Sequence, residues 1–321
     1  MTFGESFPRP DSERSDKESM IERLRERPIT LLEEFSDITA EDLEARFPDG
    51  RPIVVCDFGV TGIEAGEEIP GGYRHGRILS IDHHVPNERM ARRISSTTLA
   101  IEQARSDEGF PEDSNVVIHH TDCDSILSSL IARGFLPPED RFNDAAIAAD
   151  HTGEENDISD LLGSLMQRRD LEFSMRNLEA LLHGAPLDSD ALKALEQRKS
   201  EREEAAKLVA SEALRKTGNV YYVWTKSRPD AALFPALLPD AAVVIVGSPM
   251  KHDSGKSVIK IRLGMKAPEG FMLNTLDLPD FGGRWNAGNT KRHGGTAIPI
   301  EEYAELVREK LESWESPART E

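Results

Sequence analysis

Cysteine is almost absent from this 321-residue chain. Its two copies, Cys56 and Cys123, cannot build a disulfide framework or a multi-thiolate metal centre, and both sit inside or beside apolar, strand-like runs. Long hydrophobic runs are missing too. No stretch reaches the ~18 apolar residues of a membrane span, and residues 1–27 are polar and charged without the apolar core of a secretory leader. The expectation is a cytoplasmic protein with no membrane partner. Aromatics make up only 6% of the chain and form no stripe of the kind that stacks the bases of a single strand. Basic residues are outnumbered by acidic ones, 39 to 58, for a formal charge of −19. Such a chain repels long duplex DNA, whose binding needs a basic footprint.

What remains is an ordinary globular balance, 38% hydrophobic and 30% charged, which excludes fibrous and fully disordered chains. The length suits about two domains. Residues 1–16 carry almost no large apolar side chains and read as a frayed tail; residues 1–27 comprise that tail and the start of a first helix. Helical patterns follow at Glu18–Glu26 and Leu31–Phe47. Then come short apolar runs, each closed by a polar or acidic residue: Ile53–Cys56 before Asp57, Ile78–Ile81 before Asp82, and Val116–Ile118 before His119 and His120. Lying between helical stretches at Thr98–Arg105, Ile126–Arg133 and Asn143–His151, they read as buried parallel strands. From Asp157 to Thr217 the pattern is helical, with Gly184 as a C-cap and Asp188–Lys216 as one long, solvated connecting helix up to Gly218. Strand-like runs return at Val220–Trp224, Ala242–Val246 and Val258–Arg262. A glycine-rich loop, Phe281–Gly295, and an amphipathic helix, Ile300–Trp314, complete the chain; Trp224, Trp285 and Trp314 read as packing residues. The fold class expected is α/β: a mostly parallel-sheet N-terminal domain over 28–185, a linker helix over 186–217 and a smaller α/β domain over 218–321.

Chemistry-bearing residues gather at the strand ends. In open α/β sheets, ligands bind in the crevice outside the carboxyl ends of the strands, and Asp57 and Asp82 each close one strand. After the third, alternation along extended chain puts His120, Asp122 and Asp124 on one face. Asp150 ends the apolar segment Ala145–Ala149 and precedes His151. A lone aspartate at a strand end is most often a turn or cap residue; their joint occurrence is what points to a site. Carboxylates meeting at one sheet edge resist ionising together unless a cation sits among them. Oxygen ligands mixed with imidazole favour Mn2+, Mg2+ or a related ion, and two such ions would polarise a phosphoryl oxygen and supply a bound hydroxide. In the glycine-rich loop, backbone N–H groups can approach an anion closely, and Arg284, Lys291 and Arg292 add positive charge to an otherwise acidic chain. Anion binding outweighs a plain turn there.

Asp82-His83-His84, directly after an apolar strand, resembles the signature of the DHH phosphoesterase superfamily. That group includes RecJ-type exonucleases, oligoribonucleases, cyclic-dinucleotide phosphodiesterases and manganese pyrophosphatases. Ser95–Thr98 resembles the Ser/Thr-rich helix start that follows this motif, and Asp122–Ser125 the family's Asp-x-Asp segment with its trailing helix. Asp57 and Asp150 resemble its two isolated metal-site aspartates. Phe281–Gly288 resembles the Gly-Gly-Gly-His-x-x-Ala-Ala-Gly loop of the DHH-associated companion domain, and Val258–Gly264 that domain's strand with a basic residue, here Arg262. The resemblance spans about residues 50–315. It departs from the family pattern twice: the Asp-x-Asp segment follows Asp-His-His instead of preceding it, and Arg284 stands where the family has His, the nearest imidazole being His293.

The resemblance implies a metal-dependent phosphoesterase with one or two Mn2+ (or Mg2+) ions on Asp57, Asp82, His83, Asp122, Asp124 and Asp150, joined by His120. Asp82 and His84 would be catalytic, His84 binding the substrate phosphate or protonating the leaving group. Gly282, Gly283, Arg284, Lys291, Arg292, His293 and Arg262 would bind substrate. The partner expected is a small phosphorylated molecule or short oligonucleotide; a homodimer is left open. A pyrophosphatase or exopolyphosphatase is the second reading, and a nucleotide-binding regulator on a degenerate scaffold the third.

Overall fold

Ile53-Val54-Val55-Cys56 carries no polar side chain, and all four residues are buried, as a strand covered on both faces requires. In the computed structural model, which describes residues 19–33, 38–63, 66–84, 94–253 and 255–315, this run lies inside a six-stranded sheet. The tail expected over 1–16 falls outside the described residues. The strands of the N-terminal part are β1 (Ile29–Leu31), β2 (Ile38–Thr39), β3 (Ile53–Cys56), β4 (Val60–Thr61), β5 (Glu67–Ile69), β6 (Gly72–His75), β7 (Ile78–Ile81) and β8 (Asn115–Ile118). Its sheet has the order β1-β8-β3-β7-β6-β5, parallel from β1 to β7 and antiparallel across β6 and β5. Cys56 is in register with both Ile81 and Ile118. The chain therefore leaves three adjacent strands at one level and one edge, at Asp57, Asp82 and His119. Helices α1 (Met20–Glu26), α2 (Ala40–Arg46), α3 (Ser96–Arg105), α4 (Cys123–Ala132), α5 (Asp140–Ile147), α6 (Asp157–Leu165) and α7 (Leu171–Leu182) accompany this sheet.

Two helical expectations are corrected. Leu31–Phe47 is not one helix. Leu31 ends β1, Ile38 and Thr39 pair with β4, and a reciprocal cap between Thr39 and Asp42 starts the helix only at Ala40. Asp188–Lys216 also divides. Its helix, α8 (Ser189–Val209), stops at Val209, and β9 (Leu214–Thr217) runs antiparallel to β10 (Val220–Trp224). Gly218, with φ +54°, belongs to that hairpin turn and not to a helix end.

The remaining elements are α9 (Phe234–Leu237), β11 (Val243–Pro249), β12 (Ser257–Leu263), β13 (Gly282–Gly283), β14 (Ala287–Asn289) and α10 (Ile300–Glu315). The second sheet has the order β13-β14-β12-β11-β10-β9, with only β10 and β11 parallel. Tyr303, Val307 and Leu311 of α10 are buried in its core. Trp285 is buried as expected of a packing residue, whereas Trp224 and Trp314 are 41% and 44% exposed. No apolar cluster among the described residues joins side chains of both sheets. Polar contacts link the two parts, and they surround the candidate site. No helix of the described residues is long and apolar enough to cross a membrane.

Candidate metal centre

Asp57 takes the first position after β3. Its N–H still donates to Ile81 O (3.0 Å), but its φ of +64° lies in the left-handed region, which Asp tolerates better than most residues at a cost of about 1 kcal/mol. Its carboxylate accepts from Ser96 Oγ (3.0 Å) and Ser125 Oγ (2.6 Å). Asp122 is the N-cap of α4, accepting from Ser125 N at 3.0 Å. Asp124 in the first turn of α4 accepts from the backbone N–H groups of Ser96 and Thr97, each at 2.7 Å. These N–H groups have no partner within α3, at whose start the helix dipole favours an anion. The run Ser95–Thr98 thus caps its own helix and holds two of the carboxylates.

His83 is completely buried, and neither ring nitrogen has a hydrogen-bond partner. Its Nε2 lies 3.4 Å from Asp150 Oδ2, 3.6 Å from Asp124 Oδ2 and 3.7 Å from Asp57 Oδ1. Those separations are too long for good hydrogen bonds. They suit ligand atoms that share one ion, each bound at about 2.0–2.2 Å. One ligand atom from each of Asp57, His83, Asp124 and Asp150 lies within 4.8 Å of the others. Two smaller sets meet the same limit, Asp57 with His83 and His84, and His83 with Asp150 and His151. Three carboxylates and an imidazole form a donor set that fits a divalent ion of the Mn2+ or Mg2+ kind.

The electrostatics agree with that fit. Burial, reinforced by Asp124, Asp122 and Asp150, pushes the Asp57 carboxyl well up. Asp124 is raised by burial and by Asp150. Asp150 moves the other way: burial opposes ionisation, but the Arg284 charge and His83 hold its carboxyl well below the usual range. His83 is raised, because Asp150 and Asp124 outweigh its burial. Burial brings His151 down to about 3, leaving a neutral imidazole. Without a cation, Asp57 and Asp124 resist ionising beside Asp150.

Beside this cluster, His84 bridges the two parts of the molecule. Its Nδ1 is 2.7 Å from Asp82 Oδ1, and its Nε2 is 2.6 Å from Arg284 Nη1. A guanidinium only donates, so Nε2 accepts and the ring proton sits on Nδ1, donated to Asp82. That pair keeps the Asp82 carboxyl low against its burial. A cavity of about 770 Å³ opens here. Asp57, His84, His120 and Asp122 line one wall, and Lys260, Arg262, Gly283, Arg284 and Arg292 line the other.

No family model matches the chain, and no curated protein matches it. Among solved structures, it is similar to the pGpG-specific phosphodiesterase PggH from Vibrio cholerae, at 12% identity and a TM-score of 0.42, over 76% of this chain and 82% of that one. It is also similar to an exopolyphosphatase-related protein from Bacteroides fragilis, at 16% identity and a TM-score of 0.36, over 85% of this chain and 76% of that one. A third, an uncharacterized protein from Helicobacter pylori G27, matches at 11% identity and a TM-score of 0.21, over 82% of this chain and 99% of that one.

Of the residues singled out from sequence, Asp57, His83, Asp124 and Asp150 converge in one set, while Asp82, His120 and Asp122 stand outside the sets of potential ligand atoms. Arg284 and Arg292 reach the cavity wall; Lys291 and His293 lie exposed on a short helical turn outside the lining, with Gly282 packed against His293. Arg262 borders the cavity, but its Nη1 donates to the backbone carbonyl of Asp150 at 2.7 Å. Sequence reasoning missed Asn286, buried beside the same carbonyl, and Lys260 in the cavity wall. The hydroxyls of Ser96 and Ser125, noted only as parts of motifs, turn out to hold Asp57. An Asn inside a glycine-rich loop carries no local signal of such a role.

Asp150 and His151 sit on a π-helical turn, Ala148–Thr152, that follows α5 and is closed by Gly153 at φ +71°; π turns are frequent at functional sites. A Cβ on Gly153 would lie 1.9 Å from Ala232 O in the C-terminal part. Gly153→Ala is therefore expected to destabilise the protein by roughly 2–4 kcal/mol, combining left-handed strain with a backbone clash. A thermal melt indistinguishable from wild type would show that the two parts are not packed this closely.

Proposed function

We propose that the chain is a metal-dependent phosphoesterase that hydrolyses short oligonucleotides, nucleotides or other small phosphate esters. The observation that carries this reading is the buried His83 imidazole, unpaired at both nitrogens and facing three carboxylates, beside a cavity with a basic opposite wall. The Asp82-His83-His84 signature supports it. One or two Mn2+ (or Mg2+) ions would be held by Asp57, His83, Asp124 and Asp150, with Asp82, Asp122 and His120 completing a second position. Bound there, such an ion polarises a phosphoryl oxygen and lowers the pKa of water.

The chain's own residues do the rest. Residues 28–185 would form the metal-binding domain and residues 218–321 the substrate-binding domain, with 186–217 between them supplying α8 and, in β9, an edge strand of the second sheet. Arg284, Arg292 and Lys260 bind phosphate oxygens, in a protein whose overall charge turns long duplex DNA away. Once Arg284 engages a phosphate, His84 Nε2 is free to take up a proton from solvent and, as imidazolium, to give it to the leaving oxygen, with Asp82 Oδ1 orienting the ring through Nδ1–H.

The test is hydrolysis of a dinucleotide, pyrophosphate and polyphosphate with Mn2+, with Mg2+ and in excess chelator. The expected result is turnover of the dinucleotide, with Mn2+ at least as effective as Mg2+ and no activity in chelator. Full activity in chelator overturns the metal reading. Preference for pyrophosphate or polyphosphate would make the chain a pyrophosphatase or exopolyphosphatase, and nucleotide binding without turnover a regulator.

A further inference from the structure

Two side chains of the C-terminal sheet converge on one peptide oxygen of the N-terminal part. Arg262 on β12 donates to Asp150 O at 2.7 Å, and Asn286 Nδ2, in the turn before β14, reaches the same oxygen at 3.3 Å. Asn286 Nδ2 also lies 3.3 Å from His151 Nδ1. The carbonyl belongs to the last turn of the helical segment that begins with α5, where carbonyls have no intrahelical donor left. Within that π turn, Gly153 N bonds back to Ala148 O, so the turn departs from the usual α-helical ladder. Its geometry decides where the Asp150 carboxylate points, and Asp150 Oδ2 is the carboxylate oxygen nearest to His83 Nε2.

We propose that Arg262 and Asn286 are positioning residues for the metal centre: they clamp the Asp150 carbonyl, and the N-terminal carboxylate cluster reaches full metal affinity only with the C-terminal sheet docked on it. This rests on the metal-centre reading above. It gives Arg262, whose Nη1 is engaged by backbone, a positioning role in place of substrate binding. It also couples two equilibria. If docking raises metal affinity, metal binding must favour docking by the same factor.

Charge and position predict opposite signs at Arg262. A nearby guanidinium repels a cation, so if charge alone mattered, removing it would tighten metal binding. If the clamp matters, removing it loosens metal binding. Asn286 has no charge, so Asn286→Ala reads the clamp alone, and Arg262→Lys keeps the charge while losing the planar fork.

The experiment is a calorimetric Mn2+ titration of the full chain as wild type, Asn286→Ala, Arg262→Lys and Arg262→Met. Thermal melts with and without Mn2+ and dinucleotide kinetics at saturating Mn2+ accompany it. The Kd for Mn2+ is expected to rise about 10–100-fold in each variant, as losses around metal ligands typically do, with the Mn2+-induced rise in melting temperature shrinking in parallel. KM should change little once metal is saturating. Arg292→Ala should do the reverse, raising KM at unchanged metal affinity.

Wild-type Mn2+ affinity in both Asn286→Ala and Arg262→Lys, or tighter binding in Arg262→Met, overturns the clamp while leaving the phosphoesterase reading intact. If one variant does not fold, the other decides. Loss of Mn2+ affinity in the variants, with no substrate turned over by wild type, sustains the clamp and removes the phosphoesterase reading. A wild type that binds no Mn2+ removes both.

Discussion

His83→Ala is expected to lower kcat/KM for a dinucleotide by roughly 10³-fold or more, equivalent to about 4 kcal/mol of transition-state stabilisation, while the melting temperature stays close to that of wild type. His83 is the one imidazole whose nitrogen faces Asp57, Asp124 and Asp150 together, so in the proposed metal centre its loss removes the donor that all three carboxylates surround. Stability depends on different contacts. The ring packs on His84 and His151, with centroids 4.3 and 5.7 Å apart, and those contacts are lost. Against that loss, two buried nitrogens without hydrogen bonds disappear, and an unpaired buried polar group costs about 1–3 kcal/mol. The two terms oppose each other. Steady-state kinetics with Mn2+, alongside a circular-dichroism melt, separate the roles: a variant that melts early yet keeps wild-type specific activity in its folded fraction makes His83 a packing residue.

Part of this site was legible because it is local. Asp57 and Asp82 close apolar runs that only a two-face-covered strand explains, and the register of Cys56 with Ile81 and Ile118 places the following residues at one edge. The departure in motif order has a spatial counterpart. β3 lies between β8 and β7, so the segment carrying Asp122 and Asp124 arrives beside Asp57 although it follows Asp82-His83-His84 in the chain. Less was legible where short range conflicts with long range. Leu31–Phe47 has helical periodicity, but pairing of Leu31 with Ile118 and of Ile38 with Val60 overrides it. Leu214–Thr217 reads as a charged helix tail and becomes an edge strand once β10 is available to pair. The hairpin of β5 and β6 is largely polar and carries no alternation to read. The contacts of Arg262 and Asn286 with Asp150 span 112 and 136 residues, beyond the reach of any local pattern.

Asp160→Asn is the second change expected to have a large effect, this time on stability. Asp160 is 4% exposed on α6. Its Oδ1 accepts from Arg202 Nη2 at 2.5 Å and lies 3.6 Å from Arg198 Nε, both arginines being on α8. Arg202 also donates to Gly153 O at 2.7 Å, beside the π turn, and Arg198 to Asp230 at 2.8 Å, at the start of the C-terminal cavity wall. Asp160 therefore faces two mostly buried guanidiniums that tie α8 to both parts of the molecule, and Asp230 shares one of them. Surface ion pairs contribute about 0–1 kcal/mol, and most of the others among the described residues are of that kind. Here the charges are buried, and removing Asp160 leaves Arg202 without the carboxylate it pairs with, while Arg198 keeps Asp230, at a cost of about 3–5 kcal/mol. For a protein of this size that corresponds to a fall in melting temperature of roughly 10 °C. The amide of Asn can still accept a hydrogen bond, so what the substitution removes is charge, not shape. A melt of Asp160→Asn shifted by less than about 2 °C would mean that Asp230 and solvent neutralise Arg198 and Arg202 unaided. The contacts along α8 would then be a consequence of docking and not one of its causes.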